Sequence, residues 1–75
     1  MPSDLHDYVI CQALCDSLSL RSQSRQYFMY EQYGTHYVAM SDRVDKTVQL
    51  IDHANSYEEM VSVLVEILEE EISNA

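Results

Sequence analysis

The apolar positions of this 75-residue chain change period twice, and each change predicts an element. Tyr8, Cys11, Leu14, Cys15 and Leu18 recur at steps of three and four, the spacing of one α-helical stripe. Leu5, Val9 and Ala13 form a second, narrower stripe, which predicts a helix touched from more than one side. Ser3 is placed to cap this helix, with Asp4 and Asp7 favouring its first turn. The pattern stops near Leu20, and Ser19, Arg21, Ser22, Gln23 and Ser24 read as a polar connector.

Residues 26–33 are aromatic-rich and read as a strand. Gly34-Thr35 offers the positive φ of a hairpin turn, and residues 36–41 form the return strand. Residues 42–46 are polar and turn-like. Residues 47–52 make a third strand, with Val48 and Leu50 alternating against Thr47 and Gln49. The period then returns to that of a helix. Ser56-Tyr57-Glu58-Glu59 is a capping box, and Met60, Val61, Leu64, Leu68 and Ile72 line one face, with Tyr57 at its start. Val63 falls away from that stripe among Glu59, Glu66 and Glu70, with Ile67 at the edge. Either this helix packs on two sides, or Val63 and Ile67 form a small exposed apolar spot.

The order α-β-β-β-α predicts a single α+β domain over residues 1–75: a three-stranded antiparallel meander flanked by an N-terminal and a C-terminal helix. A chain this short buries only about 60% of its unfolded surface, so disulfides, metal, oligomerisation or a partner would each help it.

Charge changes this picture. The formal net charge is −9, unevenly spread: residues 1–20 carry −3, residues 21–46 carry +1 and residues 47–75 carry −7. From residue 47 on there are seven carboxylates (Asp52, Glu58, Glu59, Glu66, Glu69, Glu70, Glu71) and no Lys or Arg. Glu69, Glu70 and Glu71 fall near the C-terminus of the second helix, where they oppose the macrodipole at roughly 0.3–1 kcal/mol each. Folding alone would favour Lys or Arg there, so a basic partner is one reason to keep them; solubility is the other. Direct binding to nucleic acid or to an anionic membrane is disfavoured, because phosphates would be repelled.

Candidate chemistry is sparse. Cys11 and Cys15 share a helix face with parallel Cβ vectors, which suits neither a disulfide between them nor, without two more ligands, a zinc site. They read as buried free thiols, and no cofactor or metal is expected. Asp52, His53 and Ser56 have the residue types of a triad, but Ser56 is already explained as a helix cap and no oxyanion hole is suggested. No enzyme is expected. No opening segment resembles a secretion signal and no apolar run reaches 18 residues, so a cytoplasmic location is expected.

The six tyrosines carry more information. Alternation puts Phe28 and Tyr30 on one face of the first strand and Tyr27, Met29 and Tyr33 on the other. Only one sheet face can be covered by the helices, so the other shows aromatics to solvent or to another chain. The expected partner-binding residues are therefore Glu59, Glu66, Glu69 and Glu70 for charge, with Tyr27, Tyr30, Tyr33 and Tyr37 as anchors on whichever face is open.

In its size, its aromatic hairpin and its carboxylates Asp52, Glu58, Glu59, Glu66, Glu69, Glu70 and Glu71, the chain is similar to the small acidic inhibitors that phages encode against bacterial defence systems, anti-CRISPR proteins among them. That resemblance implies a non-enzymatic inhibitor in the host-cell cytoplasm, docking on a basic surface of a nucleic-acid-binding effector complex. Many such inhibitors imitate nucleic-acid phosphates, and others bind elsewhere and mimic nothing. The alternative is a small homodimeric interaction or assembly protein that uses the aromatic sheet face.

Overall fold

The computed structural model describes the backbone of residues 2–22 and 24–73, and the side chains of residues 5–22 and 24–73. Five elements follow one another: α1 (Pro2–Arg21), β1 (Arg25–Gln32), β2 (Thr35–Asp42), β3 (Thr47–Ala54) and α2 (Tyr57–Ser73). The strands pair antiparallel in the order β1-β2-β3, the expected meander. Both helices lie on one face of the sheet, α1 over β1 and α2 over β3, and they pack on each other. The other face is open. No helix among the described residues is long and apolar enough to cross a membrane.

The core lies where the two helices meet the covered face of the sheet. α1 contributes Cys11, Cys15 and Leu18, the sheet contributes Tyr27, Val38 and Ala54, and α2 contributes Met60 and Leu64. The second stripe of α1 does not become an interface: Leu5, Val9 and Ala13 face solvent, because sheet and α2 both approach α1 from its cysteine side. In α2 the two-sided reading holds. Met60 and Leu64 are fully buried, while Val63 and Ile67, on the flank turned to β3, are half-buried against the core. Ile72 lies beyond that cover and is exposed.

Several boundaries differ from those the pattern predicts. α1 begins at Pro2, whose fixed φ suits a first helical turn; the side chain of Ser3, expected to cap it, lies outside the described residues, as does Gln23 of the connector. α1 also runs through Ser19 to Arg21. Ser19 is a tie rather than a linker residue: its hydroxyl donates to the Cys15 carbonyl (2.9 Å) and accepts from the Tyr27 N–H (2.8 Å). The first hairpin turns at Tyr33-Gly34, one residue earlier than predicted. Both have positive φ (54° and 79°), the signature of a type I′ turn that matches strand twist. The second turn is organised by Asp42, whose Oδ1 accepts from the N–H groups of Val44 (2.9 Å) and Asp45 (3.2 Å).

One irregularity shapes the site below. Val38 pairs with Asp52 but Ala39 pairs with Leu50, so Ile51 is an extra residue in β3. This bulge breaks the alternation and leaves Ile51 half-buried on the helix side, below α2.

Candidate functional site

Between β3 and α2 lies an open groove of about 680 Å³. Its apolar wall is Ile51 from the bulge and Val63 and Ile67 from α2. Its polar rim is Asp52, Glu66, Glu69, Glu70 and Ser73. The helical repeat explains the cluster: positions 63, 66, 67 and 70 follow three- and four-residue steps, so two apolar and two acidic side chains share a flank. The capping box starts that helix. Ser56 Oγ accepts from the Glu59 N–H (3.2 Å), and Glu59 Oε2 accepts from the Asn55 N–H (2.9 Å). With Glu58 and Glu59 in the first turn, the N-terminus of α2 is electrostatically satisfied; its last turn has no basic residue.

Three of the rim carboxylates, Glu66, Glu69 and Glu70, have no counter-ion among the described residues. Among the described residues, the only pairs within 4.0 Å join Arg25 to Asp42, His36 to Glu31 and His53 to Asp52, each at 3.9 Å. Among the described residues no basic nitrogen lies within 4.0 Å of Glu66, Glu69 or Glu70. Glu66 and Glu70 are one helical step apart, with Glu69 beside them, so like charges about 5–6 Å apart at Cβ repel one another. Glu71 differs from its neighbours: it turns back and accepts the Tyr27 hydroxyl at 3.2 Å. Burial, then the Glu71 carboxylate, holds the Tyr27 phenol above its ordinary range.

The expected partner-binding residues therefore separate into groups. Glu66, Glu69 and Glu70 come together on the groove, and Asp52 joins them from β3. Glu59 does not; it sits two turns away and is occupied in capping. Tyr27 is on the helix side, 6% exposed in the core, so it leaves the set of surface anchors. Tyr33 is in the hairpin turn, 96% exposed and in the left-handed region, belonging to neither sheet face. Tyr30 and Tyr37 are cross-strand partners on the open face, stacked with centroids 5.1 Å apart. Sequence reasoning missed Asp52 and Ile51 as parts of one site, since strict alternation gives no sign of a bulge. An acidic residue beside an isoleucine at the end of an edge strand was the available hint.

That open face has an unusual make-up. By register it holds Gln26, Phe28, Tyr30 and Gln32 of β1, Thr35, Tyr37, Ala39 and Ser41 of β2, and Val48, Leu50 and His53 of β3, with Ala39 itself buried. All four charged residues of the strands (Arg25, Glu31, Asp42 and Asp52) stand in register on the opposite, helix-covered side. A half-covered antiparallel sheet ordinarily turns its charged residues outward.

Other candidate chemistry is absorbed by packing. Cys11 and Cys15 are free and buried. Burial pushes both thiols up to about 11, aided by Asp7 at Cys11 and by Cys11 and Asp16 at Cys15. The Cys11 thiol donates to the Tyr57 carbonyl at 3.5 Å. His36 packs on the Tyr57 ring (4.2 Å), which meets Tyr8 edge-on (5.2 Å). Asp52 and His53 are 3.9 Å apart and exposed, while Ser56 Oγ is engaged with the Glu59 N–H. The described residues contain no group of three or more His, Cys, Asp or Glu placed to hold a metal ion. Comparison with family models, with curated proteins and with solved structures finds no match to this chain.

Proposed function

We propose that this protein is a non-enzymatic binding module whose α2–β3 groove docks on a basic protein surface. One observation carries the reading: Asp52, Glu66, Glu69 and Glu70 ring an apolar wall, and among the described residues no Lys or Arg lies within 4.0 Å of Glu66, Glu69 or Glu70. A mere solubility coat needs no apolar wall. A groove for Arg and Lys side chains needs both parts, because their hydrocarbon stems lie on apolar surface while their charged ends reach a carboxylate rim. The resemblance to small acidic phage inhibitors, anti-CRISPR proteins among them, makes the nucleic-acid-binding channel of a host-cell defence effector the target to test first. There the carboxylates would occupy arginines and lysines that otherwise hold phosphates.

The test is binding to such an effector complex at rising salt, with the charge-reversed chain (Glu66→Lys, Glu69→Lys and Glu70→Lys together) as the control. Wild-type affinity should fall at least tenfold between about 50 and 500 mM salt, as expected for exposed charges screened beyond the Debye length. The reversed chain should stay folded by circular dichroism and fail to bind. Equal binding by the two chains would refute the reading.

A further inference from the structure

We propose that the open face of the sheet is a self-association surface whose occupant is a second copy of this chain, the two sheets packing face to face. The proposal is independent of the groove, which lies on the other side of the sheet. It rests first on the missing charge. Along three strands the outward positions hold no Asp, Glu, Lys or Arg, although the chain carries 17 such residues in all. Instead Tyr30, Tyr37 and His53 form one rung and Phe28, Ala39 and Leu50 the next, followed by Val48 beside Ser41. The aromatic part is already ordered: Phe28 and Tyr30 lie 6.2 Å apart, Tyr30 and Tyr37 5.1 Å, and Tyr37 and His53 6.3 Å. This is the make-up of a face that gets covered.

Electrostatics then select the occupant. A basic protein gains nothing from a face without carboxylates and would prefer the acidic groove. A nucleic-acid strand would find rings to stack on but no cation on this face for its phosphates. A second copy bears −9 as well, and the carboxylates of the groove would repel it; on this face two such chains can meet without opposing like charges. Size is the remaining constraint. Three strands of eight residues cover about 26 by 14 Å, ~370 Å² in plan per copy before side-chain relief is added. Two copies then bury on the order of 1,000 Å², the low end of specific interfaces, where weak and reversible association is found. Sheets packed about 10 Å apart with strands near-aligned would interdigitate the Phe28, Tyr30, Tyr37 and Leu50 side chains.

Sedimentation equilibrium of the full chain tests this from about 1 to 500 µM, a range chosen to bracket micromolar affinity. The expected result is a rise from 8.7 kDa toward twice that mass. Salt should strengthen the dimer severalfold, because screening relieves repulsion between two like-charged chains. That is opposite in sign to the groove. Leu50→Lys and Leu50→Glu, at a half-exposed position that folding tolerates, should each weaken self-association at least tenfold, and an equimolar mixture of the two should recover it. A wild-type monomer at the top of the range, a dimer indifferent to both substitutions, or a monomer whose tyrosine fluorescence is quenched by oligodeoxythymidine would overturn the proposal.

Discussion

Replacing Glu69 and Glu70 by lysine together should make this protein more stable, and the size of the gain can be worked from the geometry of α2. Both residues lie within five positions of the helix end at Ser73, and the last turn contains no basic residue. Moving a charge from the wrong sign to the right sign near an exposed C-terminus is worth about 0.3–1 kcal/mol per position. The substitution also converts the repulsive Glu66–Glu70 pair into an attractive Glu-to-Lys pair at i, i+4 in its favourable orientation, adding about 0.2–0.5 kcal/mol. Glu71 is left alone, because it accepts the Tyr27 hydroxyl and its loss would confound the measurement. The expected total is about 1–2 kcal/mol. In a domain of this size each kcal/mol shifts the Tm by roughly 4–8 °C, so thermal unfolding followed by circular dichroism should show a rise of at least about 4 °C at low salt. The rise should shrink by more than half near 1 M salt, where the Debye length is about 3 Å. An unchanged or lowered Tm at low salt would refute the idea that these carboxylates are held against the interest of folding.

Two further outcomes follow from the packing. Ser19→Ala removes the acceptor of the Tyr27 N–H at the junction of α1 and β1, and the orphaned donor should cost about 1–3 kcal/mol, read as a lower urea midpoint with an unchanged m-value. Alkaline pH should also destabilise: burial raises the Cys11 and Cys15 thiols from 9.0 to about 11 and moves Tyr27 and Tyr57 upward too, so the folded state keeps protons that the unfolded chain releases. The stability these groups contribute should therefore be fully present below pH 9 and be lost between pH 9 and 11, with a shallower fall in the Cys11→Ala/Cys15→Ala chain; urea midpoints independent of pH across that window would contradict it.

The element order was legible because each period is set by local geometry. The stripe through Cys11, Cys15 and Leu18 and the capping box at Ser56 need nothing beyond the chain's own helical repeat. What escaped was set by tertiary partners. Ser19 reads as linker by composition, yet it is helical because its hydroxyl finds the Tyr27 backbone across the turn. The turn moved to Tyr33-Gly34 because a type I′ geometry needs two residues with positive φ, and a tyrosine there gives no compositional warning. The acidic flank of α2 was visible as Glu66, Glu69 and Glu70, but its apolar wall depended on a bulge that no alternation rule foretells. Glu59 was grouped with that flank because it is acidic and on the same helix; its capping contact with Asn55 takes it away. Strand alternation did separate Tyr27 from Phe28 and Tyr30, while the side the helices would choose depended on long-range packing.

The two surfaces divide the molecule's charge in a way that ordinary solubility does not require. A soluble two-layer domain needs charge most on the sheet face that no helix covers, yet Arg25, Glu31, Asp42 and Asp52 all stand on the helix side. Placing Asp52 there costs its sheet face a solubilising charge and adds a fourth carboxylate to a rim that already repels itself. Both departures fit the self-association proposed above, with the uncharged sheet face inside an assembly and the acidic groove outside it. Packing two sheets back to back would leave both grooves exposed on the outer layers. A basic partner with two suitable sites could then engage both, gaining from effective concentration as well as from contact. Because the surfaces lie on opposite layers, substitutions at Leu50 should leave the groove's intrinsic affinity unchanged, whereas charge reversal in α2 should leave the sheet face intact, so each surface can be judged on its own.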